Sequence, residues 1–224
     1  MRKKLKITWL GHAGIKIVDQ EKTIYIDPWL TGNPVAKLKV DDIKKADAVF
    51  VTHGHGDHGY DDAVKICINT GATFISVFEL ANKAQNDGVK NVIGGNISGT
   101  ASVAGIEFVF TTAQHSTTVG VPVGFVFKLS TLTAYHAGDT GIFMDMKLLG
   151  DLYDVDLAFL PIGSLFTMGP KEAAKALELL NCSKVVPIHY KTFPVLVQNV
   201  QDFIKIVGPM VDVIALEPGE EREI

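Results

Sequence analysis

Short runs of apolar, mostly β-branched residues divide the chain into segments about as long as β-strands. Near the start, such runs fill residues 5–10, 15–18 and 23–27, and a polar turn at 19–22 separates the last two. This pattern predicts a meander of adjacent strands. Similar runs recur along the chain. They cover residues 48–52, 73–77, 106–113, 123–129, 131–137, 157–161, 184–188 and 211–216.

Segments with helical spacing of apolar residues alternate with these strands in two parts of the chain. The predicted helices cover residues 61–69, 79–86, 170–180 and 196–207. A Gly/Ser-rich stretch at 94–99 predicts a turn. Two βα-containing halves without a repeat or linker favour one α/β (α+β) domain over residues 1–224, built as a four-layer αββα sandwich. A single mixed sheet covered by helices fits the same pattern.

The composition indicates a protein with a large core and no polyanionic partner. The 224 residues are 47% hydrophobic, which is ample for the core of one domain. The 21 Lys and Arg residues against 25 Asp and Glu leave a formal charge of −4, and neither sign forms a long run. We therefore expect neither nucleic acid nor a membrane surface as partner.

Three features of the chain favour a cytoplasmic location. Residues 1–4 have the charge of a signal-peptide start, but polar residues interrupt the apolar stretch that follows. No uninterrupted apolar run reaches the roughly 20 residues that cross a bilayer. Cys67 and Cys182 lack metal-binding spacing and are expected to be buried thiols, as in a reducing compartment.

Histidine and aspartate are concentrated in glycine-rich loops that follow predicted strands. The loop over residues 52–58 offers four potential ligands, His53, His55, Asp57 and His58. Turn and capping chemistry does not require three imidazoles within six residues, and four ligands here suggest two adjacent sites. Imidazole and carboxylate ligands without thiolate favour Zn²⁺, Mn²⁺ or Fe.

Other candidates stand in similar loops. They are His12, Asp27, His115, Asp139 and His189. With the first loop, they belong to seven short motifs in a fixed order. The motifs are WLGH at 9–12, IDPW at 26–29, THGHGDH at 52–58, QHS at 114–116, YHAGDT at 135–140, FTMGP at 166–170 and VPIHY at 186–190.

The order and spacing of these motifs resemble the metallo-β-lactamase superfamily over nearly the whole chain. Within it, the chain is similar to small metal-dependent hydrolases related to the ascorbate-6-phosphate lactonases. The resemblance implies that one ion is held by His53, His55 and His115. It implies that a second ion is held by Asp57, His58 and His189, and that Asp139 bridges the two.

The resemblance also implies a reaction. A hydroxide between the ions would be the nucleophile, and the ions would polarise the carbonyl or phosphoryl oxygen under attack. Asp57 would orient that hydroxide or pass its proton to the leaving group. The expected substrate is a small ester, lactone or phosphodiester. The two divalent ions would be Zn²⁺ or Mn²⁺, with Fe and Ni as further candidates, and a homo-oligomer is compatible with the apolar content.

Several residues near the predicted centre have open roles. His12 would either contact the substrate or shape its Gly-His-Ala-Gly turn. Asp27 would either hold a ligand imidazole in one tautomer, as in the family, or form an Asx turn. His136 lies in a strand three residues before Asp139, so we expect it to face away and to make a structural hydrogen bond. The apolar loop 161–170 would either wall the cleft or pack as a connection.

Three alternatives within the superfamily remain at this point. An RNA-processing nuclease is disfavoured because this acidic chain lacks the basic region that binds a polyanion. A di-iron oxidoreductase is disfavoured because such proteins typically carry an acidic residue where His55 stands. A non-catalytic metal-binding module is disfavoured by the intact set of ligands.

Overall fold

A computed structural model describes residues 5–224 and shows two β-sheets with helices on their outer faces. The strands are β1 (Leu5–Gly11), β2 (Gly14–Asp19), β3 (Lys22–Ile26), β4 (Ala48–Phe50), β5 (Thr73–Val77), β6 (Val92–Gly95), β7 (Thr100–Val103), β8 (Ile106–Thr112), β9 (Val123–Lys128), β10 (Thr133–His136), β11 (Leu157–Pro161), β12 (Lys184–Ile188), β13 (Asp212–Val213) and β14 (Glu221–Glu223). The helices are α1 (Tyr60–Thr70), α2 (Phe78–Asn86), α3 (Met146–Tyr153), α4 (Pro170–Leu180) and α5 (Gln201–Val207), with short 3-10 turns at Val40–Asp42 and Gly56–His58.

Each sheet combines an antiparallel meander with a parallel part. The first sheet has the order β14-β1-β2-β3-β4-β5-β6, and its strands from β3 to β6 are parallel. The second has the order β13-β12-β11-β10-β9-β8-β7, and its strands from β10 to β13 are parallel. Antiparallel neighbours such as β1 and β2 need only a short turn, whereas parallel neighbours need longer crossovers, which contain an α-helix except between β3 and β4.

Aromatic side chains join the two sheets in the core. Phe50 on β4 lies 5.0, 5.1 and 4.9 Å, between ring centroids, from Phe108, Phe125 and Phe127 of the second sheet. All four rings are fully buried, and burial of one such ring contributes about 1.5–3 kcal/mol. Residues of both sheets belong to one continuous hydrophobic cluster.

The helices complete four layers. Helices α1 and α2 pack on the first sheet, while α4 packs on β11 and contacts α3 and α5 on its flanks. The predicted αββα sandwich is confirmed, and the alternative of a single mixed sheet is wrong. Helix α4 begins with Pro170 in its first turn, and Glu172 accepts a hydrogen bond from the Gly169 N–H, so the start of this helix follows from local sequence.

Some elements differ from the sequence prediction. The helix predicted over 196–207 begins only at Gln201, because residues 197–199 are irregular and Val197 donates its N–H to the distant Gly163 carbonyl. The strand predicted over 211–216 is reduced to β13, and the stretch 94–99 overlaps the end of β6. Helix α3 and strands β6, β7 and β14 were not predicted. Residues 1–4, considered above as a signal-peptide start, lie outside the described part of the chain.

Candidate metal centre

The candidate ligands lie where strands end. His12 follows β1, Asp27 follows β3, and His189 follows β12 directly. His53 and its neighbours lie in the loop between β4 and α1, while His115 and Asp139 follow β8 and β10. The two sheets therefore deliver side chains to one site from six different connections, on a rigid scaffold. The structure brings these residues together although up to 177 positions separate them, as from His12 to His189.

His53, His55 and His115 form a group that we call the outer cluster. One ring nitrogen from each lies within 4.8 Å of the others, and Nε2 of His53 is 3.0 Å from Nδ1 of His55. His53 is buried, whereas His55 and His115 are partly exposed. The outer cluster thus presents three converging imidazoles to a cleft that solvent reaches.

His12, His58 and His189 form a second group, which we call the inner cluster. Their ring nitrogens also converge within 4.8 Å, and all three side chains are buried. His12 and His189 have ring centroids 3.9 Å apart. The sequence prediction placed His58 and His189 at one ion but did not include His12 among the ligands.

Asp139 stands between the two clusters. Its Oδ2 atom lies 3.1 Å from Nε2 of His58 and 3.0 Å from Nε2 of His189 in the inner cluster. The same oxygen lies 3.6 Å from Nε2 of His115 in the outer cluster. One carboxylate oxygen therefore faces nitrogen atoms of both groups.

Asp27 and Thr52 hold two of the histidines in a defined tautomer. The Thr52 hydroxyl and N–H both donate to Asp27, each at 2.7 Å. Because its one hydrogen is used there, the hydroxyl accepts from Nδ1–H of His53 at 3.0 Å. Asp27 also accepts from Nδ1–H of His58 at 2.7 Å. His53 consequently turns a bare Nε2 toward the centre, which is the form that binds a metal, and His58 is oriented so that its Nε2 can bind an ion once its proton is displaced.

Asp57 contacts the inner cluster from the cleft side. Its Oδ2 lies 3.3 Å from Nε2 of His12, and its side chain is 28% exposed. His12 itself is fully buried. The structure therefore places Asp57 between the cleft and His12, and it places the His12 ring behind that carboxylate.

Burial and neighbouring charges shift the pKa values of the cluster. Burial lowers the pKa of His53 to about 2 and that of His12 to about 4, and it also lowers the pKa of His115. Burial opposes the charged form of His58 as well, yet the carboxylates of Asp139 and Asp27 outweigh it and raise the pKa of His58 well above its ordinary value. His12, His53 and His115 are thus neutral near pH 7, whereas His58 carries a proton that an ion would displace.

The pKa values of Asp139 and Asp57 are lowered, whereas that of His58 is raised. Burial raises the pKa of Asp139, but His58 and His189 overcome this and hold it well below the ordinary value. Burial likewise opposes ionisation of Asp57, and His12 and His58 lower its pKa in spite of it. Both side chains are carboxylates at neutral pH, as ligands of a divalent ion must be.

Unpartnered polar atoms show that a cation fits these residues. Nε2 of His58, Nε2 of His12 and Oδ1 of Asp139 are buried and have no hydrogen-bond partner within the described residues. Leaving such atoms unsatisfied costs about 1–3 kcal/mol each. A divalent ion would satisfy Nε2 of His58 and Oδ1 of Asp139 together, and a set of imidazoles and carboxylates suits Zn²⁺ and Mn²⁺.

The backbone is strained at three of these positions. His12, Asp27 and His189 have φ angles of 56°, 46° and 54°, in the left-handed region that favours glycine. Such conformations persist where surrounding contacts enforce them and are frequent at functional sites. Here the His12 carbonyl accepts hydrogen bonds from the N–H of His189, at 2.9 Å, and from Nε1–H of Trp9, at 2.8 Å.

His136 and Thr192 lie close to the candidate ligands without being predicted ligands. His136 donates from Nε2 to the Ala13 carbonyl at 3.0 Å and accepts from Gly138 at Nδ1, which is a structural role inside the sheet. Thr192 lies 3.0 Å from Nδ1 of His12 and was not singled out in the sequence. No local pattern could have identified Thr192, because its partner is 180 positions away.

Comparison with known proteins agrees with this geometry. Residues 6–189 match the β-lactamase superfamily domain. A UPF0173 metal-dependent hydrolase of Korarchaeum cryptofilum is 45% identical over 223 residues, which are 98% of this chain and 100% of the relative. The chain belongs to the UPF0173 metal-dependent hydrolases of the β-lactamase superfamily.

Other UPF0173 metal-dependent hydrolases and one solved structure extend the similarity. The relative from Methanopyrus kandleri is 47% identical over 231 residues, covering 98% of this chain and 100% of its own. The solved structure of Igni18, a metallo hydrolase from Ignicoccus hospitalis, superimposes with a TM-score of 0.92 at 37% identity, covering 99% of this chain and 98% of that one. This UPF0173 protein is therefore a metal-dependent hydrolase with the metallo-β-lactamase fold. Within residues 5–224, no helix has the length and apolar character needed to span a bilayer.

Proposed function

We propose that this protein binds two divalent ions side by side and hydrolyses a small ester, lactone or phosphodiester. The observation that carries the proposal is the position of Asp139, whose Oδ2 lies 3.0–3.6 Å from imidazole nitrogens of both clusters. A carboxylate in that position suits a bridge between two ions. A single ion would leave one of the two groups of converging histidines without a function.

The residues divide into two sets of ligands with one shared member. His53, His55 and His115 would hold one ion, and Asp57, His58 and His189 would hold the other, with Asp139 shared. Zn²⁺ and Mn²⁺ are the favoured ions because the ligands are imidazoles and carboxylates. When bound, such ions lower the pKa of water and polarise a carbonyl or phosphoryl oxygen.

Protein side chains supply the remaining functions. Asp57 is the carboxylate that reaches the cleft, with 28% of its side chain exposed, so it is placed to accept a proton from the attacking water and to pass it to the leaving group. Asp27 and Thr52 fix the orientation of the ligand imidazoles. Binding of the substrate would then fall to the side chains at the edge of the cleft, which we call the rim.

The rim beside the inner cluster is aromatic. The rings of Trp29 and Phe193 are partly exposed and lie 5.7 Å apart, and each contacts the ring of His12 at 5.3 and 5.4 Å. The loop with the exposed Leu165 and Phe166 is hydrogen-bonded next to Asp139, because Met168 in this loop donates its N–H to the carbonyl of Thr140. Apolar walls of this kind suit the carbon skeleton of a small substrate.

The proposed location is the cytoplasm. Cys67 and Cys182 are both free and buried, and burial raises the pKa of the Cys67 thiol to about 12, so it is unreactive. Free thiols are usual for proteins of a reducing compartment.

We propose a small molecule rather than RNA as substrate because the chain carries a net charge of −4.

The test combines metal analysis with a substrate panel. Purified protein would be loaded with Zn²⁺ or Mn²⁺, the ions per chain counted, and hydrolysis of phosphodiesters, lactones, thioesters and a tRNA precursor measured. We expect two ions per chain and turnover of one small-molecule class. Asp139→Asn should reduce kcat/KM on the order of 10³-fold, as loss of a principal electrostatic group does. Asp151→Asn, which removes an exposed carboxylate paired with Lys147, should leave it unchanged.

Either of two results would contradict this proposal. Binding of only one ion per chain at saturation would remove the dinuclear centre. Turnover of the tRNA precursor in preference to every small molecule would replace the proposed substrate class with RNA.

A further inference from the structure

His12 occupies a buried position between two predicted ligands without belonging to the implied ligand set. Its side chain has no solvent exposure, and its ring centroid lies 3.9 Å from that of His189. Nε2 points toward Oδ2 of Asp57 at 3.3 Å, and Nδ1 faces Oγ1 of Thr192 at 3.0 Å. Nδ1 is thus within hydrogen-bond distance of a hydroxyl, whereas Nε2 faces a carboxylate without a formed hydrogen bond.

The chemistry of these two neighbours decides which nitrogen carries the hydrogen. A neutral imidazole has one N–H donor and one acceptor, and a carboxylate only accepts. The contact with Asp57 is therefore attractive only if Nε2 carries the hydrogen. Nδ1 must then accept, which it does if Thr192 turns its hydroxyl hydrogen toward the ring rather than toward the Tyr190 carbonyl at 3.2 Å.

Aromatic rings shield this arrangement from water. Trp29 and Phe193 contact the His12 ring edge-to-face, with centroids 5.3 and 5.4 Å away. A hydrogen bond in such an environment is stronger than the same bond in water. The backbone of His12 is fixed independently, through its carbonyl contacts with Trp9 and His189, so the ring position does not depend on the bond to Asp57.

We propose that His12 is a positioning residue: with its tautomer set by the Asp57 carboxylate, it donates from Nε2 to one oxygen of Asp57 and leaves the other oxygen available to bind the inner ion. The inference rests on the proposed function, in which Asp57 is a ligand of that ion. It makes Thr192, His12 and Asp57 one hydrogen-bonded row. At 3.3 Å the His12–Asp57 contact is long and is not aligned as a hydrogen bond, as contacts of catalytic groups often are before a ligand is bound.

The first test is spectroscopic and needs no metal or substrate. The ring ¹⁵N shifts of His12 in the metal-free protein report which nitrogen carries the hydrogen. We expect the Nε2–H tautomer in the wild type and in Thr192→Ser, which keeps the hydroxyl. Thr192→Val, which has nearly the same shape but no hydroxyl, should keep that tautomer because the carboxylate still faces Nε2. Asp57→Leu, which removes the carboxylate at similar volume, should shift the population toward Nδ1–H, whose hydrogen Thr192 can accept.

The second test measures ion affinity with Zn²⁺ alone, in competition with a chelator. His12→Met removes the donor at similar volume and should weaken the more tightly bound ion by roughly 10–100-fold, the usual effect of losing a partner of a metal ligand. His12→Gln places an amide N–H near the Nε2 position and should recover most of that affinity. Thermal unfolding of each variant identifies one that has simply failed to fold.

Two results would overturn the inference. One is an Nδ1–H tautomer in the wild type whose Nε2 signal moves on addition of Zn²⁺ as a ligand nitrogen does, since His12 would then bind the ion directly. The other is an unchanged affinity for both ions in His12→Met. Failure of the dinuclear proposal would be distinguishable, because it would appear as a single ion per chain in the wild type, whatever the His12 tautomer.

Discussion

The outer and inner clusters offer similar ligands in different surroundings. In the outer cluster two of three histidines are partly exposed, and the loop around Gly54 is held at the surface by hydrogen bonds to Thr117 and Thr118. In the inner cluster every histidine is buried, and His58 is bonded to a buried carboxylate at 2.7 Å. The inner cluster is therefore built into the core, whereas the outer cluster lies at its margin.

This difference separates two tasks that one centre has to combine. Buried ligands with fixed tautomers are preorganised, so an ion binds them with little rearrangement. Partly exposed ligands leave room for water and substrate to approach. We expect the inner cluster to contribute mainly ion affinity and fold stability, and the outer cluster to contribute mainly access to the substrate.

The largest contrast should come from removing one histidine of each cluster in the metal-free protein. His58→Ala leaves the buried carboxylates of Asp27 and Asp139 without their shared cation and should cost about 3–5 kcal/mol of unfolding free energy. His55→Ala, at a partly exposed position, should change it by about 0.5 kcal/mol or less. Urea unfolding of both variants measures the difference, and equal losses would show that the clusters are equally integrated into the fold.

A smaller effect is expected when the support of the inner cluster is changed but every ligand is kept. In Asp27→Asn, His58 loses the acceptor that holds its Nδ1–H, so one ion should bind roughly 10–100-fold more weakly. The other ion should be affected less. Chelator competition with Zn²⁺ resolves the two affinities, and equal weakening of both would contradict the separation of the clusters.

The pH dependence of stability in the metal-free protein should reflect both clusters. The pKa of His58 is raised above 6.5, so its contribution is fully present below about pH 6.5 and is lost as pH rises through its folded pKa. The pKa values of His53 and His12 are lowered to about 2 and about 4, so their contributions are present above pH 6.5 and are lost as pH falls below it. Stability should therefore peak near pH 6.5.

Melting temperatures of chelator-treated protein across this pH range provide the check. Bound ions displace the proton from His58, so the decline on the alkaline side should disappear when Zn²⁺ is present. A metal-free protein whose melting temperature keeps rising above pH 6.5 would show that His58 is not held as a cation by the two carboxylates.

The smallest effect is expected at the surface of the outer cluster. Thr118→Val removes the exposed hydrogen bond to the Gly54 carbonyl, which is 3.0 Å long. Such a bond contributes about 0.5 kcal/mol, so the more weakly bound ion should lose roughly twofold in affinity. The same titration measures it, and a change confined to the more tightly bound ion would reverse the assignment of the two clusters.

Local patterns predicted most of the strands and the loop with three histidines, and they failed where distant contacts decide. Helix α3 contains Gly150, which weakens helix propensity, but a side chain there would collide with the backbone of Leu180 at the end of α4. Strand β14 consists of exposed charged residues and exists because it pairs with β1. Its sequence has no apolar alternation to reveal it.

In the metal site, too, local patterns revealed some residues and distant contacts decided the rest. His53, His55, Asp57 and His58 stand within six residues, so the sequence alone indicates a metal-binding loop. The position of Thr192 behind His12 and the unequal burial of the two clusters depend on how both sheets close around the site. Those properties required the three-dimensional arrangement.

The most direct test of the account follows the ring ¹⁵N signals of the histidines while Zn²⁺ is added to the metal-free protein. Because the inner ligands are preorganised, the first equivalent should shift His58 and His189, and the second should shift His53, His55 and His115. If the outer histidines respond first, or if one equivalent shifts all five and a second shifts none, then the centre does not consist of two unequal sites that share Asp139.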